Sequence, residues 1–86
     1  MAKVIIYTTD TCSYCRLAKN LLNERHIPFQ EIRVDLDEKQ RNEMMRLSNR
    51  QTVPQIFIND QSIGGYDDLA RLAKSGKLDD LLKSST

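Results

Sequence analysis

Apolar residues in this chain fall into four short strand-like runs, with helical spacing between and after them. Residues 3–7 and 55–58 are short runs, apolar from Val4 to Tyr7 and from Ile56 to Ile58, as expected of strands covered on both faces. Across 29–34, Ile32 and Val34 fall on one side with Gln30, Glu31 and Arg33 interspersed, which predicts a half-buried strand. A short fourth strand, 61–63, follows Asn59-Asp60, a pair that tolerates positive φ and suits a tight hairpin. Helical spacing covers 15–25 through Ala18, Leu21 and Leu22, with His26-Ile27-Pro28 as the exit. It recurs over 38–48, where Met44, Met45 and Leu47 are expected inward, and over 67–74 through Leu69, Leu72 and Ala73, with Gly76 as the C′ residue. A last short helix is expected over 78–83. The first two strands, joined by a helix, should be parallel by the crossover rule, and the Asn59-Asp60 turn makes the last two antiparallel. The predicted fold is α/β, a four-stranded mixed sheet with helices on both faces, in one domain over residues 1–86.

Composition removes whole classes of function. The 86 residues are 40% apolar and 29% charged without a low-complexity tract, so the chain reads as one small globular domain near the lower size limit for a single core. No apolar run approaches the roughly 20 residues that a membrane span requires. Strand pattern begins close to the N-terminus, which leaves no room for a signal peptide, and a cytoplasmic, reducing setting is expected. Thirteen basic and 12 acidic residues mix along the chain for a net charge of +1, and there is no Trp. That gives neither the basic face nor the stacking platform of a nucleic-acid binder.

Chemistry enters at Cys12-Ser13-Tyr14-Cys15, which holds both cysteines of the chain. The pair stands where the first strand passes through a polar turn into the first helix. There the first sulfur lies beside unpaired backbone N–H groups and the positive end of the helix dipole. That setting favours the thiolate, the species that attacks disulfides. In a reducing compartment two cysteines are more often catalytic or metal-binding than a structural staple. A structural zinc site needs about four ligands, and two cysteines with one distant His26 fall short. His26, at a helix end, is expected to cap rather than catalyse.

Three motifs in order carry a resemblance, over nearly the whole chain, to the glutaredoxins, small members of the thioredoxin-like fold. Tyr7-Thr8 leads into Thr11-Cys12-Ser13-Tyr14-Cys15; Thr52-Val53-Pro54-Gln55-Ile56-Phe57-Ile58 follows, and then Ile63-Gly64-Gly65-Tyr66-Asp67-Asp68-Leu69. The residues alone leave Pro54 open between a cis bond in a tight connection and a trans Pro starting an edge strand. The resemblance implies the cis bond, and with it a glutathione site. In that site the Val53 N–H and C=O, flanked by Thr52 and Pro54, take the tripeptide as an added strand. The resemblance also places the γ-glutamyl carboxylate at Gly65 and the N–H groups of Asp67 and Asp68, its amine on the Asp68 carboxylate, and Tyr14 as a wall beside the sulfurs. Plain N-capping by the two acids and buried packing of Tyr14 are the blander alternatives.

The sequence departs from the family pattern in places. Ser13 stands where many members carry Pro, and Thr9 where many carry a Lys that holds the glycyl carboxylate. Arg41 matches a position that contacts the same carboxylate, or is a solvated helix residue. Gln51 stands where some relatives have Arg, and Lys19, a turn into the first helix, is placed to point away from the sulfur. The implied activity is glutathione-dependent exchange on protein disulfides and glutathionylated proteins by a monomer, with Cys12 as nucleophile and Cys15 as resolving thiol. Such a sulfur gains chiefly as a leaving group, because nucleophilicity falls as acidity rises. A competing implication is a [2Fe–2S] cluster shared by two protomers, held by Cys12 of each and two glutathiones, as in some relatives with Ser after the first Cys. The protein would then be a cluster carrier or sensor. A redox-dead binding module on the same fold fits poorly with an intact cysteine pair.

Overall fold

The first apolar run becomes β1 (Val4–Thr8), and its alternation serves two cores at once. In this computed structural model, which describes residues 3–83, Val4 and Ile6 face one side of the sheet while Ile5 and Tyr7 face the other. The chain continues through α1 (Ser13–Glu24), β2 (Gln30–Arg33), α2 (Glu38–Ser48), β3 (Gln55–Ile58), β4 (Gln61–Gly64), α3 (Tyr66–Ser75) and α4 (Lys77–Lys83). The sheet order is β2-β1-β3-β4. β1 runs parallel to β2 and antiparallel to β3, and β3 is antiparallel to β4. The mixed sheet with helices on both faces is as expected. The larger core packs Val4, Ile6, Ile56 and Ile58 against Ala18 and Leu22 of α1, Leu69 and Ala73 of α3, and Leu78 of α4. The smaller one sets Met44 of α2 against Tyr7, Val34 and Phe57. Tyr7 and Phe57 meet edge to face there, with centroids 5.5 Å apart.

Turn chemistry follows the side chains. Asn59 and Asp60 both take positive φ (53° and 67°), the geometry of a tight hairpin. His26 (φ 58°) closes α1 through its backbone, because the N–H groups of His26 and Ile27 return to the carbonyls of Asn23 and Leu22 at 3.0 and 2.9 Å. Asp37 caps α2 by accepting from the N–H groups of Lys39 and Gln40.

Three expectations need correction. Leu47 is not inward but 46% exposed. At about 100° per residue, Met44, Met45 and Ser48 share one stripe, and Leu47 falls well off it on the side away from Met45. The first helix begins at Ser13 rather than at residue 15, because Cys12 is its N-cap. The third begins at Tyr66 rather than at residue 67, with Gly65 as N-cap.

Candidate active site

β1 and β3 bring the parts together. Tyr7 pairs with Gln55 across the antiparallel ladder, so the segment entering β3 lies beside the segment leaving β1. The Val53–Pro54 bond is cis. The Val53 carbonyl accepts from the Cys12 thiol at 3.6 Å, across 41 residues of sequence. From the other side the Cys15 N–H donates to Cys12 Sγ at 3.1 Å. A sulfur at the N-cap thus occupies the place usually taken by a Ser, Thr or Asp oxygen. Negative charge that develops on Cys12 meets a directed N–H and the positive end of α1.

The two thiols differ sharply. Cys12 is half-buried, whereas Cys15 is 1% exposed. Burial pushes the Cys15 thiol up to about 12 from an ordinary 9.0; its hydrogen bond with Cys12 adds to this, and the Thr9 N–H and Lys19 oppose it. At neutral pH Cys15 is a protonated reserve.

Two hollows flank the sulfurs. One, of about 260 Å³, gathers Tyr14, Thr52, Val53, Pro54, Gly65, Asp67 and Asp68 from the expected set, together with Arg50, Gln55 and Tyr66. The rings of Tyr14 and Tyr66 lie 6.2 Å apart, and Tyr14 is 59% exposed, so it is not a core residue. Gln55, buried, donates from Nε2 to the Thr52 carbonyl at 2.9 Å and steadies the loop before Pro54. The Asp68 carboxylate turns back to accept the Gly65 N–H at 3.1 Å, and Arg50 lies 3.4 Å from the same oxygen. The second hollow, about 140 Å³, is lined by Cys12 and Cys15 with Thr9, Lys19, Glu31 and neighbouring charges. Lys19 lines the same hollow as the sulfurs, but its ammonium is taken up by another element. It pairs with Glu31 at 2.9 Å, which in turn accepts from the buried Thr8 hydroxyl at 2.6 Å. The Thr8 hydrogen bond is the main force holding the Glu31 carboxyl below its usual value.

Arg41 and Gln51, the other expected ligand contacts, are exposed, and neither lines the groove beside Val53. Arg41 borders a separate concavity formed by the loop entering α2. A larger hollow of about 800 Å³ between β4, α3 and α4 contains neither sulfur, so size alone does not mark the site. Arg50 and Tyr66 were not anticipated. For Arg50 the available signal was a cation two residues before Thr52; for Tyr66 it was an aromatic directly after two glycines. Among the described residues no group of three or more His, Cys, Asp or Glu could hold a metal ion. No helix of the described residues is long and apolar enough to cross a membrane.

Comparison with known proteins agrees with this geometry. The Glutaredoxin family model matches residues 4–63. Glutaredoxin 3 of Escherichia coli strain K12 is 53% identical over 83 residues, spanning 96% of this chain and all of that protein. The solution structure of a glutaredoxin from Brucella melitensis superposes with a TM-score of 0.86 at 46% identity, covering 100% of this chain and 94% of that one. A dithiolic glutaredoxin from Trypanosoma brucei brucei gives 0.83 at 42% identity, over 93% and 86% of the two chains.

Proposed function

The chain belongs to the glutaredoxin family, whose members are thiol–disulfide oxidoreductases of the thioredoxin-like fold, and from that premise we propose that it reduces protein disulfides and protein–glutathione mixed disulfides at the expense of glutathione. The observation that carries this is the double approach to one sulfur. Cys12 Sγ receives the Cys15 N–H at 3.1 Å and stands 3.6 Å from the backbone wall of a peptide-sized groove.

In the monothiol route, Cys12 thiolate attacks the glutathione sulfur of the mixed disulfide. A Cys12–glutathione disulfide forms, and the protein thiolate leaves. A second glutathione thiolate attacks the glutathione sulfur of that disulfide, releasing glutathione disulfide and returning Cys12 thiolate. The N-cap environment stabilises Cys12 each time it departs, so its benefit falls on turnover. In the dithiol route, Cys12 forms a mixed disulfide with the protein. Cys15 then attacks the Cys12 sulfur, closes the intramolecular bond and expels the protein thiolate; two glutathiones reopen the ring. The T. brucei relative is named as dithiolic, and the intact pair here fits both routes.

In the bound state the tripeptide backbone lies against Val53, between Thr52 and Pro54, with Tyr14 as the wall. The γ-glutamyl end lies over Gly65 and the N–H groups of Asp67 and Asp68, its amine toward the Asp68 carboxylate. Arg41 and Gln51, both exposed, are the proposed contacts of the glycyl end. An interconverting thiol pair needs a compartment that keeps glutathione reduced, so a cytoplasmic monomer is the proposed setting.

The deciding experiment follows hydroxyethyl disulfide turnover and the pH dependence of Cys12 alkylation, with and without glutathione. Cys15→Ser is expected to retain turnover of a glutathione mixed disulfide and to lose direct reduction of protein disulfides. A Cys15→Ser protein inactive on the mixed disulfide would remove the monothiol route. The cluster reading rests on Ser13 beside the half-buried Cys12 and offers one donor per chain, so it requires a dimer. Colourless monomer after anaerobic purification is the expected result; brown dimer that dissociates as the colour bleaches would favour the cluster.

A further inference from the structure

The groove ends in a pair of opposite charges on two different elements. Arg50 follows α2 in the loop toward Pro54, and Asp68 sits in the first turn of α3. Their closest atoms, Arg50 Nη1 and Asp68 Oδ2, are 3.4 Å apart, and both residues line the groove. That distance is long for a charge-assisted hydrogen bond, which normally closes to about 2.7–2.9 Å. The Arg50 side chain is 55% exposed, so solvent screens the contact and opening it costs little.

The Asp68 carboxylate is held independently of Arg50. Oδ2 accepts the Gly65 N–H at 3.1 Å, and Oδ1 lies 3.7 Å from Arg71 Nη1. A Cβ on Gly64 would come within 2.2 Å of Oδ2, so the backbone there leaves room for the acid to turn inward. Asp68 is the fixed member of the pair, and Arg50 is the arm that can swing.

A guanidinium and a carboxylate side by side at the end of a groove match the two charges of a free α-amino-acid terminus. We infer that Arg50 is a specificity-determining residue. It releases Asp68 to the ammonium of the incoming ligand and takes that ligand's α-carboxylate, so the groove selects a zwitterionic γ-glutamyl end over a plain thiol. Neither protein charge is left without a partner before or after the exchange. This rests on the reading of the groove as a glutathione site. It adds a side-chain cation at the γ-glutamyl end, at a position two residues before Thr52 rather than at Gln51.

Steady-state reduction of a small mixed disulfide by three thiols tests the assignment. The thiols are glutathione, its analogue with the γ-glutamyl α-carboxylate amidated, and its analogue with the α-amine acetylated. Wild type is expected to lose about tenfold in kcat/KM with either analogue, mainly through KM, the size of one charge-assisted contact at a half-exposed site. Arg50→Gln should lose about tenfold with glutathione and show a clearly smaller further loss with the amidated analogue than wild type does, the remainder belonging to the Asp67 and Asp68 N–H groups. It should keep its full sensitivity to acetylation. Arg50→Lys should recover part of the loss, since a point charge replaces a planar fork. Arg50→Gln that still distinguishes glutathione from the amidated thiol as wild type does would overturn the assignment while leaving the groove reading intact. Wild type that turns over all three equally would overturn both.

Discussion

At the scale of single residues, Cys15 sets the pH behaviour of the dithiol route. Its thiol sits far above the ordinary 9.0 chiefly because it is buried, with the Cys12 hydrogen bond and charge adding to the rise. Once Cys12 is tied up in a mixed disulfide, its charge no longer opposes ionisation, while burial still does. Closure of the Cys12–Cys15 bond should therefore quicken by about tenfold per pH unit from 7 upward and still be rising at pH 9. Rapid-mixing fluorescence or mass spectrometry of the closing step checks this, and a plateau below pH 8 would contradict it. The same raised value has a sign for stability. The contribution is complete below the thiol's unfolded value and is lost as pH climbs from there toward about 12. Cys12, Cys15 and the backbone at Val53 were all legible in the sequence, because spacing and motif order encode them. Lys19 and Arg50 were not, since their roles depend on which way a helix is rotated and where a loop swings. The partner that fixes Lys19, Glu31, lies on another element.

Among elements, the helix starts show what sequence pattern sees and what it misses. Helix periods were read from Ala18 and Leu22, and from Leu69 and Ala73, and these residues are indeed buried. The apolar period sets both starts one or two residues late because α1 and α3 are capped by Cys12 and Gly65. Neither a sulfur nor a side chain of one hydrogen reads as a cap in sequence; at Gly65 the capping bond comes from Asp68 instead. Leu47 departs from expectation for a related reason, since a short helix with a single buried residue, Met44, gives its periodicity little to define a face. The turn before α3 offers a graded test. Gly64 has φ +115° and an added Cβ would meet Asp68 Oδ2 at 2.2 Å, whereas Gly76 at φ +83° has open space. Gly76→Ala should cost about 1 kcal/mol, the left-handed backbone penalty alone. Gly64→Ala should cost about 2 kcal/mol or more, because the displaced carboxylate also gives up its cap. Urea denaturation of the two variants measures the difference, and equal losses would show that the cap contributes nothing.

Over the whole molecule, one sheet carries two cores of unequal size. Among the described residues, the α1–α3–α4 core gathers ten buried apolar residues and the α2 core four. Met44→Ala removes the α2 residue that is fully buried, and it should cost about 2–3 kcal/mol. The loss should appear as faster amide exchange confined to α2, with α1 and α3 keeping their protection. Uniform acceleration would mean that the two cores open together. The layered order was readable from the apolar runs, because strands covered on both faces cannot alternate in polarity. What no local pattern could supply is the register of Tyr7 opposite Gln55. That register sets the Val53 carbonyl beside the start of α1, so that Cys12 and Val53 meet at one corner. An engineer could exchange the exposed α2 positions after Arg41 for those of a relative without re-aiming the Val53 carbonyl, and a new client preference could be grafted onto an untouched redox centre.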